Sequence, residues 1–224
     1  RLRGDGPLLL VVDDDWAAAT NWGDRIATAQ DILDQAGRQR RPVAVLTTAP
    51  HTDGATPRIS SLMPAGEASQ IIDGLAPKPW RVDHRAALDA LIDLPFEIPA
   101  EVIWLSNGIA NTETFVTRDL AERMSIIGPL TVITDEPVRV AAILDPPIGE
   151  GAALQATVRR AAGTTSDPTM QVWVRASGDQ GQLLHRVPVE LAGGDTLGVA
   201  TLELPPETRN KIARLEIEGQ QSAA

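Results

Sequence analysis

The chain contains no cysteine among its 224 residues, so neither a disulfide framework nor thiol chemistry is open to it. No apolar run reaches the roughly 18 residues that a membrane-spanning helix needs. Basic blocks are missing apart from Arg38-Gln39-Arg40-Arg41, which follows a helix-like stretch whose terminal carbonyls favour cations. With a formal net charge of −10 the surface repels phosphate backbones, and nucleic acid is not an expected partner. The phosphate-loop pattern and the Gly-x-Ser-x-Gly elbow are absent. The three histidines, His51, His84 and His185, stand apart without metal-ligand spacing, and His84, opening a helical stretch, is expected at the surface.

The composition is that of a globular chain, 43% apolar and 22% charged. Its length allows one or two domains of about 150 residues. Charge is unevenly spread: residues 1–136 carry 12 basic against 20 acidic side chains, residues 137–224 carry 8 against 10. The sequence begins at Arg1 rather than Met and shows no signal-like start, as expected of a piece of a longer protein whose targeting segments lie elsewhere.

Two rhythms divide the chain. Leu8–Val12 is a continuous apolar run, suited to a strand buried on both faces. Trp22, Ile26, Ala29, Leu33 and Ala36 recur at helical steps, with Thr20 or Asn21 as cap and Gly37 ending the helix in the left-handed conformation. Val43–Leu46 predicts a second strand, and 65–75 and 83–93 two helices, the latter capped by Asp83. Glu101–Ser106 predicts a third strand, Thr112–Met124 a helix and Leu130–Thr134 a fourth strand. Such alternation implies an α/β domain over 1–136, Rossmann-like, with a mostly parallel sheet and helices on both faces. From 137 to 219 the runs Val138–Leu144, Leu154–Arg159, Met170–Arg175, Leu183–Glu190, Leu197–Leu204 and Ala213–Glu218 are short and separated by turn signals. They predict an antiparallel β-sandwich, with Pro188 marking an edge strand and residues 220–224 a loose tail.

Ligands of open parallel sheets bind beyond the carboxyl ends of the strands. Two loops stand there: Asp13-Asp14-Asp15-Trp16 and Ser106-Asn107-Gly108. If their strands are neighbours the loops meet, with Asp13 and Asp15 on one side of an extended chain and Asp14 on the other. Two charges about 4 Å apart repel by roughly 4 kcal/mol at an effective dielectric near 20, so the pair wants a cation, donors or water. Asp13, Asp15 and Asn107 offer oxygen ligands suited to Mg²⁺ or Ca²⁺. Alternatively, the carboxylates cap the loop and the helix after it. Asp14, Trp16, Trp80, Asp83, Ser106 and Gly108 form a candidate contact edge for another protein, although tryptophan is usually largely buried and the residues alone favour Trp16 and Trp80 covering the sheet edge as core. Trp104 and Trp22 are assigned to packing; Trp173 can point either way.

The segments LLLVVDDDWAAA and VIWLSNG resemble the framework of a von Willebrand factor A domain. That family carries Asp-x-Ser-x-Ser after its first strand, a Thr on a second loop and an Asp in a later turn, together a metal-ion-dependent adhesion site. Asp13 matches the first Asp, Asp15 and Ala17 fall on the two Ser positions, Asn107 replaces the turn Asp, and no Thr stands around Val82-Asp83. The resemblance therefore implies a degenerate site, with metal lost or weakly held and no resident cofactor expected. More narrowly, DDDWAAATNW, PWRVDHRAALDAL, EVIWLSNG and LPPETRNKIARLEIEGQ resemble the aerotolerance-type membrane proteins of Gram-negative bacteria. That likeness implies a parent anchored in the inner membrane, with this region facing the periplasm, and supplies no biochemical activity. The leading expectation, from the acidic loop and its neighbours, is non-catalytic binding of another protein. The rival class is a haloacid-dehalogenase-like phosphatase, with Asp13 as nucleophile, Asp15 as general acid/base and Ser106 on the phosphoryl group. Asp135-Glu136 could imitate its acidic pair, but it needs a lysine after Ser106 in the same domain. Lys78 comes earlier and Lys211 lies in the β-rich part.

Overall fold

A run of five apolar residues, Leu8–Val12, forms strand β1, every residue of it buried. The computed structural model describes residues 2, 4–92, 94, 100–109, 114–136, 139–150, 153–160 and 165–218. The expected tail at 220–224 and the first residue of the Val138–Leu144 run lie outside them. Contacts divide the chain into one unit running to Asp135 and another from Glu136 to Gln220.

In the first unit, β2 (Val43–Thr47), β3 (Glu101–Ser106) and β4 (Leu130–Thr134) join β1 in a sheet ordered β2-β1-β3-β4. All pairings are parallel. Among the described residues four helices accompany the sheet: α1 (Trp22–Arg38), α2 (Ala65–Asp73), α3 (His84–Ala90) and α4 (Thr114–Ile127). The side chains of β1 alternate between two apolar clusters. Leu8, Leu10 and Val12 meet Ala29, Leu33 and Ala36 of α1 and Ala68 and Ile72 of α2. Leu9 and Val11 meet Ala87 of α3 and Leu120, Met124 and Ile127 of α4. Because each face is covered by helices, the strand gains nothing from polar alternation, which is why its sequence has none. The free side of β2 is covered by antiparallel bridges from Val43 to Met63 and from Leu46 to Ile59.

Helix α1 departs from expectation at both ends. A 3-10 turn, Trp16–Asn21, precedes it, and the Asp15 side chain caps that turn, while Asn21 makes no side-chain cap. Gly37 does not end it. The left-handed position falls to Arg40, with φ 55, and the N–H of Arg41 donates to Ala36 O at 2.9 Å. That six-to-one bond is a Schellman-type closure. It lies three residues beyond the glycine because Arg41 is anchored inside the unit by Glu101, at 2.6 Å, and by Gly6 O, also at 2.6 Å.

Gly128 follows α4 under closer constraint. A Cβ there would lie 1.9 Å from the carbonyl oxygen of Ala100, the residue before β3. Gly128→Ala must push backbone away from backbone. We expect a loss of about 1–3 kcal/mol, read as a lower urea midpoint at unchanged slope.

The second unit is antiparallel. Strands β5 (Ala142–Leu144), β6 (Ile148–Glu150), β7 (Ala153–Arg160) and β10 (Leu197–Glu203) form one sheet, in which both β5 and β6 pair with β7. Strands β8 (Met170–Ser177), β9 (Leu183–Leu191) and β11 (Arg214–Ile217) form another, ordered β11-β8-β9, and a short helix α5 (Pro206–Arg209) precedes β11. Ala156, Val158, Ala200 and Leu202 of the first sheet share one apolar cluster with Val172, Val174, Val189 and Leu191 of the second. Pro188 lies on the edge strand β9, opposite Trp173, where its missing N–H costs no central ladder bond. Arg186 stacks over the Trp173 ring at 3.9 Å, and Trp173 is absent from the shared cluster. Strand β6, only three residues long, was not foreshadowed by any periodicity.

Candidate functional site

Strand order reverses at β1: β2 pairs on one side and β3 on the other. A crevice is expected at the carboxyl ends where such a reversal occurs. Asp13, Asp14 and Asp15 follow β1 there, and all three are buried. Asp13 Oδ1 accepts from Thr48 Oγ1 at 2.7 Å and from Trp104 Nε1 at 2.9 Å, and Oδ2 from the Asn107 N–H at 3.0 Å. Asp15 Oδ1 accepts from Asn107 Nδ2 at 2.8 Å and from the Ala18 N–H at 3.3 Å. Asp14 turns the other way. Its carboxylate accepts from the Ala49 N–H at 2.9 Å and from Lys78 Nζ.

The loop after β3 is held from within as well. Asn107 Oδ1 accepts from the Ile109 N–H at 2.7 Å, and Ser106 Oγ from the Gly108 N–H at 3.2 Å. The Ser106 carbonyl takes Arg25 Nη2 at 3.3 Å, and the same nitrogen pairs with Asp135 at 2.8 Å. His84 is completely buried. Its Nδ1 lies 2.9 Å from Thr117 Oγ1, its ring meets Trp104 edge-on at 5.6 Å, and Nε2 stands 4.0 Å from Asp13 Oδ1 without a hydrogen bond.

Burial sets the titration of the cluster. It pushes the Asp14 carboxyl up, while the Lys78 ammonium and the Ala49 N–H draw it back. Burial lifts Asp15 to about 6, against the pull of its Asn107 bond. Burial lowers His84 against the attraction of Asp13 and Asp83, so it is held neutral. An acid whose folded-state pKa exceeds its unfolded one opposes folding above the folded value, and that penalty fades as pH falls towards the unfolded one. For Asp15 the window runs from about 6 down to 3.8. Asp15→Asn keeps an oxygen for Ala18 and Asn107. It should be more stable than wild type by about 1–3 kcal/mol near pH 8, with the gap closing near pH 4. Urea titrations at both pH values check this; a gap independent of pH would refute it.

The expected contact edge is only partly at the surface. Trp16 and Trp80 are half-buried, Gly108 is exposed with φ 76, and Asp83 caps α3 through the Ala86 N–H at 2.9 Å. The Trp16 N–H donates to Trp80 O at 3.3 Å, and Trp80 Nε1 to Pro50 O at 2.8 Å, tying the two tryptophans into one rim. Asp14 and Ser106 do not face a partner, because their polar atoms are engaged inside. His84 is not at the surface, since the first turn of α3 packs against Trp104 of β3 and Thr117 of α4.

The set Asp13, Asp15 and Asn107 does not fit Mg²⁺ or Ca²⁺. Hydroxyl, indole and amide donors point at both Asp13 oxygens, where a cation would have to approach, and Ala17 carries no ligand atom. Among the described residues no group of three or more His, Asp or Glu side chains is arranged to hold a metal ion. The phosphatase geometry is not met either, because Lys78 neutralises Asp14 and Asp13 is sealed beneath Trp104 and Thr48.

Thr48, Lys78, His84 and Trp104 complete the network without having been anticipated. A threonine pair closing a buried strand, Thr47-Thr48, is one signal for the first. A tryptophan inside a buried strand is another, since its N–H must find an acceptor.

No family model matches this chain, and no curated protein does. Among solved structures it is similar to proximal thread matrix protein 1 from the mussel byssus, with 12% identity and a TM-score of 0.40. The match covers 58% of this chain and 37% of that one, so the chain spans little more than a third of that protein, and a likeness so slight carries no argument.

Proposed function

We propose that this chain is a non-catalytic protein-interaction module whose first unit is a von Willebrand factor A-like domain with a degenerate adhesion site. The observation that carries the reading is the closure of the acidic loop: Asp13 is satisfied by three protein donors and Asp14 by a lysine and a backbone N–H. Protein donors do at Asp13 what a cation does in a metal-dependent site. The reversal of strand order at β1, with the acidic and Ser-Asn loops meeting there, supports the family reading. Two sheets around a common apolar cluster support a β-sandwich for the second unit.

The rim of Trp16, Trp80 and Gly108 is the contact surface in this reading, and the partner is another protein. No helix among the described residues is long and apolar enough to cross a membrane. Independently of that, the resemblance carried by DDDWAAATNW, PWRVDHRAALDAL and EVIWLSNG supports a parent of the aerotolerance type, anchored in the inner membrane with this region in the periplasm. Calorimetry should give no binding heat with Mg²⁺ or Ca²⁺. Affinity capture from an envelope fraction should lose its specific partner in Trp16→Ala/Trp80→Ala. Hydrolysis of p-nitrophenyl phosphate that disappears in Asp13→Asn would overturn the proposal.

A further inference from the structure

The two edges of the first unit's sheet are treated differently. The β2 edge is covered by the bridges from Met63 and Ile59. At the other edge, Thr131–Thr134 of β4 is exposed throughout, with Val132 at 45% and Ile133 at 36%. These two side chains stand on opposite faces, Val132 beside Trp104 and Ile133 beside Leu105, so among the described residues the edge is open on both sides. Edge strands are ordinarily guarded by a charge, a proline, a bulge or a cover. Leu130–Thr134 has no charge and no proline, and its register against β3 is unbroken.

We propose that the β4 edge is a docking surface for a second copy of this chain, joined antiparallel across a twofold axis into one continuous eight-stranded sheet. The Val102 N–H donates to Pro129 O, and in a parallel ladder the alternation then turns the N–H and C=O of Leu130, Val132 and Thr134 outwards. A twofold axis perpendicular to the sheet keeps each side chain in its own layer only when it passes through a residue. Through Val132, it sets Val132 against Val132, Thr131 against Ile133 and Leu130 against Thr134, so all five residues pair. Every outward backbone group of the strand then finds a partner.

Charge agrees with this occupant. In a chain of net charge −10 a self-contact must keep acids apart. This register sets Asp135 opposite Pro129 and Glu136 opposite Gly128, and Asp135 already has Arg25 at 2.8 Å. The seam is small beside the roughly 1,200–2,000 Å² of a stable interface, so the dimer should be weak and reversible. The inference is independent of the reading of the acidic loop.

Because the chain has no native cysteine, register is directly testable in the full chain. Thr131 and Ile133 face each other as a non-hydrogen-bonded pair, with Cα atoms about 4.5 Å apart, within disulfide reach. A mixture of Thr131→Cys and Ile133→Cys chains should cross-link on mild oxidation, while neither does so alone. Sedimentation equilibrium at tens of micromolar should show wild-type dimer, and monomer for Val132→Lys with an unchanged far-UV circular dichroism spectrum. A monomeric wild type with no cross-link in the mixture would overturn the proposal. So would a dimer surviving Val132→Lys, or equal cross-linking of each variant by itself.

Discussion

Replacing Arg41 with methionine should cost the first unit about 3–5 kcal/mol, the loss typical when one member of a buried ion pair is removed. Arg41 and Glu101 meet at 2.6 Å with side chains only 2% and 5% exposed. The guanidinium also donates to Gly6 O at 2.6 Å and to Pro7 O at 3.3 Å, fastening the lead-in to β1 against the start of β3. Methionine fills a similar volume but strips Glu101 of its cation in a site water barely reaches. The double variant Arg41→Met/Glu101→Met should recover most of the loss, because burying two charges is itself expensive. Urea unfolding of the three variants closes the cycle. A single-variant loss under about 1 kcal/mol would mean that the pair is solvated in solution and behaves as a surface bridge.

Asp13→Ala should have a comparable effect by a different route. The change leaves Thr48 Oγ1, Trp104 Nε1 and the Asn107 N–H without their acceptor, all in a buried site. Each abandoned donor costs about 1–3 kcal/mol, and since neighbouring losses are not additive, a total near 4 kcal/mol is expected. Asp13→Asn should fall between, as its amide group can face only one side with an acceptor. The near-ultraviolet circular dichroism of Trp104 should change in both variants, because its indole loses a charged acceptor. A stable Asp13→Ala with an unaltered tryptophan signal would contradict the network as drawn.

The architecture of the first unit was largely legible because its strands are unmixed. LLLVV and EVIWLS read as doubly covered strands, and their observed limits match the expected ones. Helix α1 was legible from its stripe, but its termini were not. The positions of Asp15 as cap and Arg40 as left-handed residue follow from where Asn107 and Arg41 must lie, which no local pattern contains. The loops were legible as a meeting place, through Asp13, Asp15 and Asn107. Their satisfaction was not, since Lys78 and Trp104 reach the acids across 64 and 91 residues of chain. His84 shows the same limit. A histidine at a helix start suits the surface by composition, and only the packing of α3 against β3 and α4 encloses it.

The position of β1 between two later strands has a consequence during synthesis. It pairs with β2 once residues 43–47 are made, but its other neighbour, β3, appears about 90 residues after it. At roughly 5–20 residues per second, an emerging chain carries one side of this wholly apolar ribbon unpaired for about 5–20 s. That interval, rather than the finished molecule, is when the nascent polypeptide most needs shielding from its neighbours.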